Sequence, residues 1–223
     1  MVLSSKNCMM IRPTRYLLAA LAGLLMAAGT AQAHPHVWVT MSSTLIYAAD
    51  GSVTGVRHAW TFDDMFSTFA IQGLESKQKG VFTREELQPL AEVNVTSLKE
   101  YEYFNYAKAN GNKAVFTDPV DYYLEHKDQL LILHFTLPLK TPIKAQNLDL
   151  EVFDPAYFVD FAFAEKNPVE LKGAPAACKV NLGKPQEMTK ELADRLSKIA
   201  PNEQIPENTF GAQFANKISV TCP

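Results

Sequence analysis

From Ala31 to Phe62 the chain reads AQAHPHVWVTMSSTLIYAADGSVTGVRHAWTF, and this stretch holds a processing motif, three of the five histidines and the first structural unit. Val37 to Tyr47 and Ser52 to Phe62 are rich in Val, Thr, Ile, Trp and Tyr and flank Ala49-Asp50-Gly51. That pattern predicts a β-hairpin, with Gly51 supplying the positive φ of its turn. On the second strand, period two places His58, Trp60 and Phe62 on one face and Arg57, Ala59, Thr61 and Asp63 on the other. His58 therefore shares a face with aromatics. Two roles stay open for it: a core histidine hydrogen-bonded to a backbone carbonyl, or a further metal ligand.

Upstream, Lys6, Arg12 and Arg15 precede an apolar run from Tyr16 to Ala28, and Ala31-Gln32-Ala33 fits a small-x-small cleavage motif. Residues 1–33 are expected to be a secretory signal, since the run is short for a membrane span of about 20 residues. Cleavage after Ala33 makes His34 the first residue of a domain at 34–223, with a possible subdivision into 34–110 and 111–223. His34-Pro35-His36 then offers an α-amine and two imidazoles within three residues. Neutral imidazole binds zinc, copper, nickel and cobalt, and an α-amine with a pKa near 8 loses its proton to a metal easily. Pro35 has no N–H to deprotonate, which excludes the square-planar mode that uses the second amide.

The leader carries three of the 21 basic residues and none of the 24 acidic ones, leaving 18 against 24, net −6. No basic stripe replaces nucleic-acid counterions, so that partner class is disfavoured. No later apolar run reaches membrane-spanning length, and the processed chain is expected to be soluble in the periplasm. Cys8 leaves with the leader. Cys178 and Cys222 remain, and one disulfide in an oxidising compartment is the economical reading, with two metal-ligating thiolates as the sharper alternative.

Asp63 or Asp64 is placed to cap a helix running to Leu74. Glu75 to Glu86 has the length of a calcium-binding EF-hand loop, with Gly80, Phe82 and Glu86 at its sixth, eighth and twelfth places. Lys77 and Lys79 stand where oxygen ligands belong, so the loop reads as helix-loop-helix geometry without the metal. A second helix is expected from Arg84 to about Tyr103, with Pro89 near its start. Short strands follow at Val115–Thr117, Asp121–His126, Leu130–Pro138, Leu148–Phe153, Val159–Ala164, Val180–Leu182 and Lys217–Thr221, with a helix from Glu187 to Ile199. His126 reads as exposed beside a turn and His134 as structural. Asp154, before Pro155, is either an oxygen ligand or a turn cap. The fold class is α+β: antiparallel or sandwich-like strands with a helix-loop-helix insertion and a C-terminal helix.

HPHVWV, HAWTFDDMFS, GVFTREEL, LILHFTLPL, VFDPAYFVDF, the lone Cys178 and the closing FGAQFANKISVTC together resemble the bacterial domain-of-unknown-function 1007 family. Its members are secreted and loosely labelled as periplasmic components of a transport system. The resemblance implies an association with nickel, cobalt or zinc transporters, and only His34 and His36 match a plausible family ligand motif. The expected function is a periplasmic accessory protein that binds zinc, nickel, cobalt or copper and exchanges it with a membrane metal transporter, without enzymatic activity. Two other classes are kept open. One is a metal-free interaction module with an exposed aromatic patch at Tyr101, Tyr103, Phe104 and Tyr106. The other is a copper-dependent oxidase in which His58 or His134 faces His34.

Overall fold

A computed structural model of the chain describes residues 35–196 and 210–223. The hairpin forms as expected: β1 (Val37–Tyr47) and β2 (Val53–Phe62) pair antiparallel, and Gly51 sits at φ +81° in the turn. Asp50 closes that turn by accepting bonds from the Ser52 N–H and hydroxyl at 3.0 and 2.6 Å.

Two sheets build the fold. The first has the order β5 (Val120–Lys127), β6 (Leu130–Ile143), β2, β1, β8 (Val159–Phe163), and β9 (Val169–Lys172) also pairs with β1. Both β8 and β9 run parallel to β1; the other pairings are antiparallel. The second sheet is antiparallel throughout, in the order β10 (Lys179–Leu182), β11 (Asn216–Thr221), β7 (Asn147–Val152), β3 (Asn105–Ala109), β4 (Asn112–Ala114). Alternation along the strands turns Met41, Leu45, Val56, Leu133 and Phe135 inward from one sheet and Leu148, Leu150 and Ile218 from the other into one core. This is an α+β protein built around a β-sandwich. Each sheet mixes strands from both sides of residue 110, so a cut there would divide both.

β6 lies between two partners, as its near-continuous apolar run predicts. Val115–Thr117, read as a strand, instead follows β4 as an irregular segment tied to β6 through a single bridge between Phe116 and Leu139. β9 was not legible, because Val169-Glu170-Leu171-Lys172 is too short to show a period.

Helix α1 (Asp64–Ala70) is shorter than the reading to Leu74. Its cap Asp63 accepts from Phe66 N–H at 2.8 Å with one oxygen and from Trp38 N–H at 2.8 Å with the other, pinning the helix to β1. Helix α2 (Arg84–Leu98) starts in a capping box of Thr83 and Glu86, with Pro89 inside it and Leu87, Ala91 and Val95 facing inward. Glu86 also explains the loop before it. One of its oxygens takes Thr83 N–H at 2.8 Å and the other Lys77 N–H at 2.9 Å, so the carboxylate at the twelfth place closes the loop by backbone bonds.

Beyond Leu98 a kinked segment, Lys99–Phe104, with Glu102, Tyr103 and Phe104 at positive φ, leads into β3, so Tyr106 lies in a strand. Tyr103 and Phe104 are buried and Tyr101 is exposed, which corrects the expectation of one exposed aromatic patch from 101 to 106. Cys178 and Cys222 form a disulfide, with S–S 2.05 Å, and Cys178 N–H reaches Pro175 O at 3.0 Å. Helix α3 (Lys190–Leu196) begins three residues after the expected start at Glu187, which leaves 187–189 outside any helix, and the expected end at 197–199 lies outside the described residues.

Candidate functional site

The start of β1 is the part of the N-terminal stretch that the structure describes, and it is docked. His36 N–H and Val37 N–H both donate to Phe158 O, at 2.9 and 3.3 Å, and the His36 ring lies 4.6 Å from the Phe158 ring, tilted by 34°. Phe158 ends the turn Asp154-Pro155-Ala156-Tyr157-Phe158, which feeds β8 into its parallel pairing with β1. His34, the other half of the candidate ligand pair, lies outside the described residues.

Asp154 builds that turn. It is only 3% exposed, and its carboxylate accepts from Ala156 N–H at 2.9 Å, Phe158 N–H at 2.9 Å and Val159 N–H at 3.0 Å. Three backbone donors aimed at one carboxylate are the turn-capping use of Asp before Pro. The fold therefore brings Asp154 and His36 to the same turn. There the carboxylate sets the backbone of Phe158, and Phe158 sets His36.

The closing motif supports this turn from beneath. The 3-10 stretch Phe210–Phe214 packs on it, with Gly211 N–H bonded to Pro155 O at 3.0 Å. A Cβ on Gly211 would run into the backbone oxygen of Asp154, so any side chain there displaces the turn. Tyr157 takes φ +54° and buries its ring against Phe214, centroids 4.2 Å apart. Its hydroxyl meets Asp160; burial pushes the Tyr157 phenol up, and burial likewise raises Asp160, partly offset by the bond from Tyr157. Three of the quoted motifs thus converge in space. Sequence reading missed Phe158 and Gly211, although an aromatic two residues after Pro155-Ala156 and a glycine between Phe210 and Ala212 were visible.

His58 is in a different place. Its Cα pairs with Ser43 of β1, seven residues along from His36, which is about 23 Å at strand rise. The ring is 1% exposed, packed against Trp60 and Phe135. Nδ1 lies 2.9 Å from Ser43 Oγ and Nε2 lies 2.9 Å from Asn105 Oδ1. Asn105 donates its amide to Tyr103 O at 2.7 Å, so its oxygen is the end facing His58. The chain of donors then runs Ser43 O–H to Nδ1 and Nε2–H to Asn105, joining β1, β2 and, across the sandwich, β3. Both ring nitrogens are used. Burial lowers the imidazole to about 4, countered in part by the bond to Asn105.

His134 projects from the outer face of β6. Its ring stacks on Tyr123 at 4.5 Å, and Nε2 lies 3.1 Å from Glu125 Oε2. Burial, followed by the bond to Glu125 in the opposite sense, leaves His134 lowered. His126, expected to be exposed, is half-buried edge-on to Phe82. Among the described residues no three His, Cys, Asp or Glu side chains converge as a ready-made metal cage.

No helix among the described residues is long and apolar enough to cross a membrane. A family model described as a protein of unknown function, DUF1007, matches residues 19–222. An uncharacterized protein of Haemophilus influenzae is 28% identical over 208 residues, which cover 91% of this chain and 97% of that protein.

Proposed function

For a chain that belongs to the DUF1007 family of proteins of unknown function, we propose a role as a periplasmic accessory protein that carries a divalent transition metal at its processed amino terminus. The observation that carries this reading is the docking of His36: main-chain and ring contacts to Phe158 hold it at the rim of the sandwich. A terminus that is held in place loses less freedom when its donors close on an ion. After cleavage at Ala33, the His34 amine and imidazole chelate the ion and His36 adds a third bond. Asp154 acts as a positioning residue through the Phe158 backbone.

Three nitrogen donors leave positions open to another ligand, which suits transfer better than storage. Zinc, nickel, cobalt and copper all accept this donor set. The ion is cargo, exchanged with a membrane metal transporter by stepwise ligand replacement.

The test is calorimetric titration of the chain beginning at His34 with the four metals, beside His36→Ala. Binding that weakens at least tenfold in the variant supports the reading, and binding that is unchanged refutes it. The metal-free interaction module draws support from α1, whose Met65 and Phe69 are 62% and 73% exposed. For that module, neither form binds metal.

A further inference from the structure

Four segments meet where β1 begins: the start of that strand (35–40), α1 with the turn after it (63–74), the second half of α2 (89–98) and the turn into β8 (154–162). Around one depression of ≈ 230 Å³ they bring together Val37 and Val39, Phe66, Val93 and Leu98, and Phe158. An apolar cavity of about 150 Å³ is enough to take benzene, so this depression has room for one bulky apolar side chain. Asn94 and Ser97, the polar side chains that α2 contributes, donate back into their own helix, to Leu90 O at 2.8 Å and Val93 O at 2.9 Å.

The surface beside the depression is apolar as well. Val93 and Phe158 are 62% and 45% exposed. Met65 and Phe69, one helical turn apart on α1 and flanking Phe66, are the exposed pair already noted on that helix. An exposed apolar surface gathered around a hollow marks contact with another molecule.

The charge around it has one sign. The four segments hold Asp63, Asp64, Glu92, Asp154 and Asp160 and no lysine or arginine. Asp154 is committed to its own turn, whereas Asp64 and Glu92 are exposed. Among the described residues, none of Asp63, Asp64, Glu92 and Asp160 pairs with a lysine or arginine. Carboxylates elsewhere on the surface do find such partners: Lys99 takes Asp118, Lys113 takes Glu102 and Lys217 lies between Asp149 and Glu151. An apolar hollow with an unanswered acidic rim is complementary to a segment that is apolar at its centre and basic at its flanks. An anionic lipid surface has the wrong charge for it.

We infer that this end of the sandwich docks a basic, apolar segment of a partner protein. One bulky side chain of that segment enters the depression between Val93 and Phe158, and its lysines or arginines lie over Asp64 and Glu92. The buried anchor supplies most of the affinity. The exposed charge pairs contribute little to it and instead orient the encounter. This surface is available whether or not the terminus carries an ion, although Phe158 is both a wall of the depression and the neighbour of His36.

The probe is a short fluorescein-labelled peptide of leucine, phenylalanine and lysine, titrated by anisotropy with the processed protein in EDTA, so that metal binding does not enter the result. One control peptide carries glutamate for every lysine, and the other serine for every leucine and phenylalanine. The lysine peptide is expected to bind saturably, and each control about tenfold more weakly. Val93→Ser and Phe69→Ser are each expected to weaken it about fivefold, as loss of an interface anchor does. Val115→Ser, at a 51% exposed position outside the four segments, is expected to leave it unchanged. All three variants change exposed side chains and keep the fold. No saturable binding, equal binding of the lysine and glutamate peptides, equal loss in Val93→Ser and Val115→Ser, or a preference for phosphatidylglycerol vesicles over the peptide would each overturn the inference.

Discussion

His36 and His58 sit on adjacent strands of one hairpin and have opposite chemistry. His58 is sealed between two sheets, with each ring nitrogen matched to a fixed partner, Ser43 on one side and Asn105 on the other. His36 stands at the rim, held through its backbone and by one aromatic face. The contrast teaches that position along a strand, more than residue type, decides what an imidazole can do. The seven positions from His36 to Ser43, the partner of His58 across the hairpin, separate a histidine fixed at both ring nitrogens from one held by its backbone and one ring face.

The largest expected effect separates the two. His58→Ala leaves a cavity and strands the Ser43 hydroxyl and the Asn105 side chain, and should destabilise the fold by about 4 kcal/mol in chemical denaturation. A loss below about 1 kcal/mol would mean that the Ser43–His58–Asn105 chain contributes little.

Acid should sharpen the contrast. The folded His58 titrates at about 4 against an ordinary 6.5, so the unfolded chain binds its proton first. The stability due to neutral His58 is complete above pH 6.5 and drains away as pH falls toward 4, by on the order of 3 kcal/mol. Denaturation curves across that window should show the slope, and His58→Gln should flatten it. A wild-type slope that survives His58→Gln would assign the acid sensitivity to other groups.

Asp154→Ala comes next. It orphans three backbone N–H groups of the turn that holds His36 and should cost about 2 kcal/mol. If the turn positions His36, metal affinity should fall in the same variant under conditions where it remains folded. Unchanged affinity would detach Asp154 from the terminus. The smallest effect on stability is expected for His36→Ala, below about 1 kcal/mol, since rim substitutions away from buried networks change little. A larger loss would make His36 structural, like His58.

Much of this arrangement was legible in the residues. The hairpin, the inward face of β2 and the central place of β6 follow from period two and turn chemistry. The disulfide joins Cys178 and Cys222, the two cysteines left outside the expected leader. The His58 partners were not legible, because Ser43 and Asn105 reach it through register and sheet packing that no local pattern records. The expected backbone-carbonyl partner is replaced by two side chains. Nor could spacing show the left-handed run at Glu102–Phe104, where three ordinary residues take a conformation imposed by tertiary contacts. At the candidate site, Asp154 was seen as ligand or cap and is observed capping the turn. The role of Phe158 as the anchor of His36 needed the parallel pairing of β1 with β8, a long-range contact.

The most direct measurement of the central claim compares the processed chain beginning at His34 with the same chain carrying one extra alanine before it, each titrated calorimetrically with zinc, nickel, cobalt and copper. The account predicts tight binding by the first and a loss of at least tenfold in the second, because the added residue moves the free amine away from the His34 ring. Equal binding by both forms, or binding by neither, would contradict metal coordination through the terminal amine.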